Sequence, residues 1–244
     1  MNRDRIHAIR DFYTDRHNLE GNWEDTTYIW GQRNPAGFYM SYRERRFFIE
    51  MLNKHGICLQ NKKICDIGCG YDNWLRFFAE LKGSSQELVG VDVTSHRVLK
   101  AKDINPGIAF IISDAASLPL SDASFDLVTQ FDTFEHFVDD VTLKKAAREL
   151  TRILRNHGHL IWFDLSPFPP SSAPTRGYSL EEVKALFPKF ELIDCEPIFK
   201  RFNLGRKSIS PAYVLPKFSY AFADLVEKIP MGKHSNLMVL MRKA

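Results

Sequence analysis

Carboxylates recur at the ends of apolar runs along the first two-thirds of the chain, and their spacing is the first chemical signal. Asp66 lies in the short run Ile64-Cys65-Asp66-Ile67, which meets the turn Gly68-Cys69-Gly70. Glycines at such a turn let the backbone reverse sharply and let a ligand approach where a Cβ would stand. A strand, a glycine turn and a helix start together bind nucleotide-like ligands in open α/β sheets. Asp92 falls near the end of the next run, Leu88–Val93. That is about 20 residues past the turn, where an acid accepts hydrogen bonds from both ribose hydroxyls. Asp114 ends a third run, within FIISDAASLPL; an acid there can accept the exocyclic amino hydrogen of an adenine whose ring stacks on apolar neighbours. A fourth run, Phe125–Phe131, leads into Asp132-Thr133-Phe134-Glu135-His136. His136 is the leading candidate for a general base, because an unperturbed imidazole titrates near neutrality. Glu135 and Asp132 are alternates, and a purely structural His136 that packs the next helix start stays open.

These residues need a scaffold, and the alternation of elements from Lys62 onward supplies one. Strand Lys63–Ile67 is followed by helix Trp74–Lys82, strand Leu88–Val93, helix His96–Ala101 and strand Ile108–Ile112. Strand Phe125–Phe131, helix Val141–Leu154 and strand Leu160–Asp164 come next. This rhythm predicts a doubly wound, mostly parallel sheet with its ligand crevice at the strand C-termini. Ser95 is expected to cap the second helix, leaving Asp92 for a ligand. Ser179-Leu-Glu-Glu182 is a capping box opening a further helix. Strands Phe190–Cys195 and Asn236–Arg242 complete the pattern. Two additions flank this core. Residues 1–56 form a helical, aromatic cap: a short helix over Arg3–Tyr13, an aromatic stretch carrying Trp23, Tyr28, Trp30, Phe38 and Tyr39, and a helix over Ser41–His55. An insert of about 197–235, basic, aromatic and rich in proline, is expected to form short helices and turns. Residues 57–244 make the ligand-binding domain.

A chain of 244 residues, 44% hydrophobic and 26% charged, is ordinary for a globular protein with one sizeable core. Its net charge of +3 is too mild to call for nucleic acid. No apolar run approaches the roughly 20 residues of a membrane span. The first residues have no secretory h-region, and Cys58, Cys65, Cys69 and Cys195 suit reduced thiols, so a cytoplasmic setting is expected. No Cys or His cluster completes a metal site with Cys65 and Cys69, and none is expected.

Taken together, Asp66-Ile-Gly68-Cys-Gly70, Val91-Asp92, Asp114-Ala115 with Leu118-Pro119, Phe125-Asp126-Leu127-Val128, Phe134-Glu135-His136 and Arg148-Glu149-Leu150 resemble successive motifs of class I S-adenosylmethionine-dependent methyltransferases. RELTRILRNHGHLIWFD is similar to that family's approach to its fifth strand. The tail more loosely resembles bacterial members of glycan and small-metabolite biosynthesis. The resemblance implies a Rossmann-like, seven-stranded sheet with an antiparallel last strand and S-adenosylmethionine as cofactor. It also implies methyl transfer to oxygen or nitrogen of a small molecule or saccharide. Carried over by position, Asp66, Gly68, Cys69 and Gly70 would meet the methionine portion, Asp92 and Val93 the ribose side, and Asp114 and Ala115 the adenine. Gln130, Phe131 and Asp132 would lie under the sulfonium and acceptor. Asp72 stands where the family often has a third glycine, close to the methionine carboxylate, so Arg45 or Arg43 is expected to compensate. Nucleic-acid methylation and a non-catalytic, cofactor-binding regulatory role are the alternatives. A nicotinamide enzyme is disfavoured, because Gly68-Cys-Gly70-Tyr-Asp-Asn73 does not supply the GxGxxG spacing.

Overall fold

The computed structural model describes residues 34–71, 73–137, 139–167, 175–204, 207–209, 220–228 and 233–244. Its centre is β1 (Ile64–Ile67), four residues that are all buried because neighbours pair on both edges and helices cover both faces. On one side lie β2 (Leu88–Asp92) and β3 (Ala109–Ile112). On the other lie β4 (Phe125–Phe131) and β5 (Leu154–Leu165). The sheet closes with β6 (Phe190–Pro197) and the final strand, numbered β10 (Asn236–Lys243) in chain order, giving the order β3-β2-β1-β4-β5-β10-β6. β1 to β5 run parallel, whereas β10 is antiparallel to both β5 and β6, as expected from the sequence. The chain leaves β1 toward β3 and returns to the opposite edge as β4. The C-terminal ends of β1 and β4, with Ile67 beside Gln130, therefore form the switch point where such sheets bind ligands.

Two apolar layers hold this edge. α1 (Pro35–Lys54) and α2 (Asn73–Lys82) pack on one face, where Phe48 stacks on Phe78 with ring centroids 5.3 Å apart. α3 (Ser95–Ile104) contributes Val98 and Ala101 to the same layer. α4 (Asp140–Ile153) and α5 (Leu180–Leu186) cover the other face around Trp162, Phe134 and Tyr178. The capping box of α5 is present: Ser179 Oγ accepts from Glu182 N, and Ser179 N donates to Glu182 Oε2.

Several local expectations change. α1 starts at Pro35 instead of Ser41, because Asn34 caps it by accepting from Ala36 N at 2.9 Å and proline fits the first helical position. Phe38 and Tyr39 are thus helical. α3 is capped at Thr94, with no side-chain cap bond, instead of at Ser95. Asp92 Oδ1 accepts from Thr94 N at 2.7 Å, so this carboxylate does help to start the helix. The insert holds a three-stranded antiparallel sheet, β7 (Lys200–Leu204), β8 (Lys207–Ile209) and β9 (Lys233–His234), besides α6 (Tyr220–Lys228). The short segments KRFNL and KSI pair as a hairpin, a signal outweighed in the sequence by the surrounding prolines. The expected helix over Arg3–Tyr13, and Trp23, Tyr28 and Trp30, lie outside the described residues.

α1 and α6 are locked together. Arg43, only 7% exposed, donates to Asp224 at 3.0 Å and to the Ile198 carbonyl at 2.8 Å. Tyr39 donates to the same Asp224 oxygen at 2.9 Å and stacks on Tyr220. Arg43 is committed to this joint and does not serve as the counter-cation expected for the cofactor carboxylate. Asp224→Ala leaves Arg43 buried without its carboxylate and is expected to cost about 2–4 kcal/mol in urea denaturation.

Candidate active site

At the glycine turn the backbone is left-handed at Gly68 (φ +75°) and Gly70 (φ +55°). Gly68 N and Cys69 N both donate to Val91 O, at 2.7 and 3.0 Å, and Gly70 N donates to Asp92 Oδ2 at 3.0 Å. The turn is thereby tied to the end of β2, and Asp92 is held beside it, 8% exposed. A Cβ at position 68 would stand 2.0 Å from Thr133 Oγ1, so glycine is required by close packing as well as by backbone angle. Thr133 Oγ1 also lies 3.1 Å from Ile67 O, joining this turn to the one after β4.

Asp66 is 2% exposed inside β1 and accepts from Thr129 Oγ1 of β4 at 2.7 Å. Thr129→Val, nearly isosteric, removes that donor and is expected to cost about 1–3 kcal/mol, with Thr129→Ser recovering most of it in the same denaturation assay. Asp114 follows β3 half-buried, its Oδ1 accepting from Ala116 N at 2.9 Å, and Ala115 packs on the second apolar layer. Val93 is half-buried directly after Asp92. Acceptors thus stand at the ends of β1, β2 and β3. The donors of S-adenosylmethionine (an ammonium, two ribose hydroxyls and an adenine amine) call for such a set, so these residues fit that cofactor. Arg97 of α3 brings a cation beside the turn: its guanidinium lies over Tyr71 and 3.6 Å from where a Cβ at Gly70 would stand. It was not legible as a site residue, because only the fold brings α3 to the glycines. Arg45 lies with its guanidinium 5.1 Å from the centre of the Phe77 ring. Asp72 lies outside the described residues.

The second half of the site is the turn after β4. Gln130 is fully buried; its Nε2 donates to Phe163 O at 3.1 Å, and its Oε1 accepts from Thr133 N and Phe134 N. Its side chain shapes the turn from beneath. Phe131 stacks on Trp74 with ring centres 3.7 Å apart and planes 7° from parallel. Asp132 follows in a left-handed conformation (φ +51°), which Asp adopts more readily than most residues with a side chain. Burial pushes its carboxyl up to about 7. Glu135 N donates to Asp164, and the nearest carboxylate oxygens of Asp132, Glu135 and Asp164 lie within 4.8 Å of one another. His136 Nε2 lies 3.5 Å from Glu135 Oε1. Burial and the neighbouring Asp132 charge hold Asp164 above the usual carboxylate range, and the same two causes raise Glu44 on α1. Glu44 and Asp164 were not singled out in the sequence. Asp164 ended an expected strand, but nothing local marks Glu44, which α1 brings close enough to feel the Asp132 charge.

The chain resembles known proteins in sequence and in fold. Residues 65–162 match the family model described as a methyltransferase domain. A tocopherol O-methyltransferase of Arabidopsis thaliana is 27% identical over 63% of this chain and 48% of its own length. A ubiquinone/menaquinone biosynthesis C-methyltransferase of Pseudomonas paraeruginosa is 30% identical over 55% of this chain and 52% of its own. The chain spans about half the length of these curated relatives. An S-adenosylmethionine-dependent methyltransferase structure from Mesorhizobium loti superposes with a TM-score of 0.56 at 17% identity, covering 76% of this chain and 93% of that one. The strand order and matched motifs place a class I S-adenosylmethionine-dependent methyltransferase domain in this chain. S-adenosylmethionine is the cofactor that this family implies.

Proposed function

We propose that the protein transfers the methyl group of S-adenosylmethionine to an oxygen of a small, largely apolar, hydroxylated acceptor. The observation that carries this reading is Asp132, a half-buried carboxyl at the switch-point edge beside the cofactor turn, which desolvation pushes up to about 7. When bound, the cofactor supplies an electrophilic methyl on a sulfonium. The chain's own task is to hold the acceptor in line and accept its proton. Asp132 is poised for the second task, since a base with a pKa near the working pH is charged often enough to act and basic enough to take a proton. Gln130 and Thr133 fix the turn that aims it. Glu135 and His136 stand next to it in the reading, as the pair that can pass the proton outward. An apolar acceptor is supported by Trp74, half-buried at the start of α2 and stacked on Phe131 next to Asp132. The relatives' names support it too, one a tocopherol O-methyltransferase and the other a ubiquinone/menaquinone biosynthesis C-methyltransferase, of which the first names transfer to oxygen and the second to carbon.

The cluster of Glu44, Asp132, Glu135 and Asp164 favours a second reading, transfer to an amine whose ammonium these carboxyls would hold. A saccharide acceptor and nucleic-acid methylation have no comparable observation behind them. Incubation of the protein with methyl-labelled cofactor and a panel of phenols, quinols, amines and sugars, followed by mass spectrometry, decides among them. Label in a phenol or quinol is the expected result. Label confined to amines would replace the first reading with the second, and cofactor binding without transfer to any class would favour a regulatory role.

A further inference from the structure

Five aromatic rings pack between α1, α2 and the end of β4, and they differ in burial. Phe48, Phe77, Phe78 and Phe131 are buried, whereas Trp74 is half-buried. The indole is held by the other four. Its ring centre lies 3.7 Å from that of Phe131 with planes 7° from parallel, 5.4 Å from Phe48, and 5.8 Å from both Phe77 and Phe78. Its place along the chain is as informative as its surroundings. Trp74 is the second residue of α2, four positions after Gly70, and Phe131 is the last residue of β4, directly before Asp132. The stack therefore stands at the level of the strand C-termini, where such sheets bind ligands, and joins the cofactor turn to the turn bearing Asp132. On α1, Glu44 lies four residues before Phe48 and shares its helix face. Phe48 touches the indole, so Glu44, Asp132 and Trp74 border one region.

We propose that Trp74 selects the acceptor: an aromatic alcohol, whose ring packs on the indole and whose hydroxyl is thereby brought to Asp132. Two arguments favour an aromatic ring over a saturated one. Packing of one aromatic ring on another is favourable beyond the area it buries, and an indole already pinned by four rings gives up little freedom on binding. The second argument is the proton. A phenol, with a pKa near 10 as in tyrosine, is within reach of a carboxylate that burial has made more basic. An alkanol, close to water at about 15.7, is not. The second argument rests on the proposed function, with Asp132 as base; the contact between ring and indole does not.

The test is calorimetric titration of the full chain, saturated with S-adenosylhomocysteine, with naphthol and with its fully hydrogenated analogue. The wild type is expected to bind naphthol roughly tenfold more tightly than the saturated alcohol. Trp74→Leu should lose that preference, and Trp74→Phe, which keeps a ring on Phe131, should restore most of it. Both variants should keep the wild-type affinity for S-adenosylhomocysteine, which separates loss of the ring from loss of the fold. Absence of naphthol binding, equal wild-type affinity for the two alcohols, or a preference that Trp74→Leu leaves intact overturns the proposal. The wild-type comparison decides even where Trp74→Leu does not fold. Tighter binding of tetramethylammonium than of naphthol, abolished in Trp74→Leu, also overturns it, because the indole would then serve a cationic acceptor. Phenols left unmethylated while naphthol still binds through Trp74 would keep the ring site and remove oxygen transfer. Methylation of phenols with KM unchanged in Trp74→Leu would do the reverse.

Discussion

An Asp132→Asn enzyme is expected to lose methyl transfer by roughly 10²- to 10⁴-fold, the usual contribution of a positioned base. It is also expected to fold more stably than wild type at pH 8. The sign follows from the raised carboxyl. Asp132 titrates near 7 in the folded chain because burial disfavours its charge, and near 4 when unfolded. Between these values the folded state binds the extra proton, so stability falls as pH rises from about 4 to 7 and the penalty is complete above 7. Asparagine carries no charge to bury and tolerates the left-handed backbone at φ +51°. The gain should be about 1–2 kcal/mol at pH 8, discounted for the partial exposure of the site, and should vanish near pH 4. Wild-type turnover should rise with pH through about 7, and the residual turnover of the variant should lose that step. A variant that keeps both wild-type turnover and its pH profile would remove Asp132 from the chemistry and return His136 and Glu135 as candidates.

Gly68→Ala should damage the other half of the site. The residue is left-handed at φ +75°, which costs a residue with a Cβ roughly 1–2 kcal/mol. The added methyl would stand 2.0 Å from Thr133 Oγ1 and 2.7 Å from its methyl. One of the two turns must move, at a further cost of about 1–3 kcal/mol. Because Thr133 also approaches Ile67 O, that movement separates the cofactor turn from the turn bearing Asp132. Affinity for S-adenosylhomocysteine and folding stability should therefore fall together. Thr133→Ala removes the two closest contacts, Oγ1 and the methyl, together with the hydroxyl's own bond to Ile67 O, so urea denaturation should show Gly68→Ala costing less in the Thr133→Ala background than in the wild type. An equal cost of Gly68→Ala in the wild-type and Thr133→Ala backgrounds would mean that the backbone angle alone explains the glycine.

Much of this was legible in the order of residues. The apolar runs around Asp66, Asp92 and Asp126 mark buried parallel strands, because strands covered on both faces have few polar positions. The glycines, with acids at the next two strand ends, mark the crevice. What was hidden involves crossings between distant segments. Glu44 and Asp132 are 88 positions apart and meet only through the path of α1. Arg43 reads as a free cation near the turn, yet its guanidinium is captured by Asp224 from the insert. Gln130 reads as a ligand contact, but its amide holds the backbone of the turn that follows it. Asp92 was expected to be spared from capping; its carboxylate instead has two backbone donors, Gly70 N and Thr94 N, and so fixes the turn that it borders. The start of α1 was one of the local misses, because glycine and proline among the aromatic residues around Asn34-Pro35 read as a loop.

The central claim is that the turn Gly68–Gly70, with Asp92 behind it, is an S-adenosylmethionine site. Titration calorimetry of the wild-type chain and of Asp92→Asn with S-adenosylhomocysteine and with NAD tests it directly. Stoichiometric binding of S-adenosylhomocysteine to the wild type is predicted, with marked weakening in Asp92→Asn and no heat from NAD in either protein. Binding of NAD without S-adenosylhomocysteine, or equal affinity of wild type and Asp92→Asn for S-adenosylhomocysteine, would contradict the account.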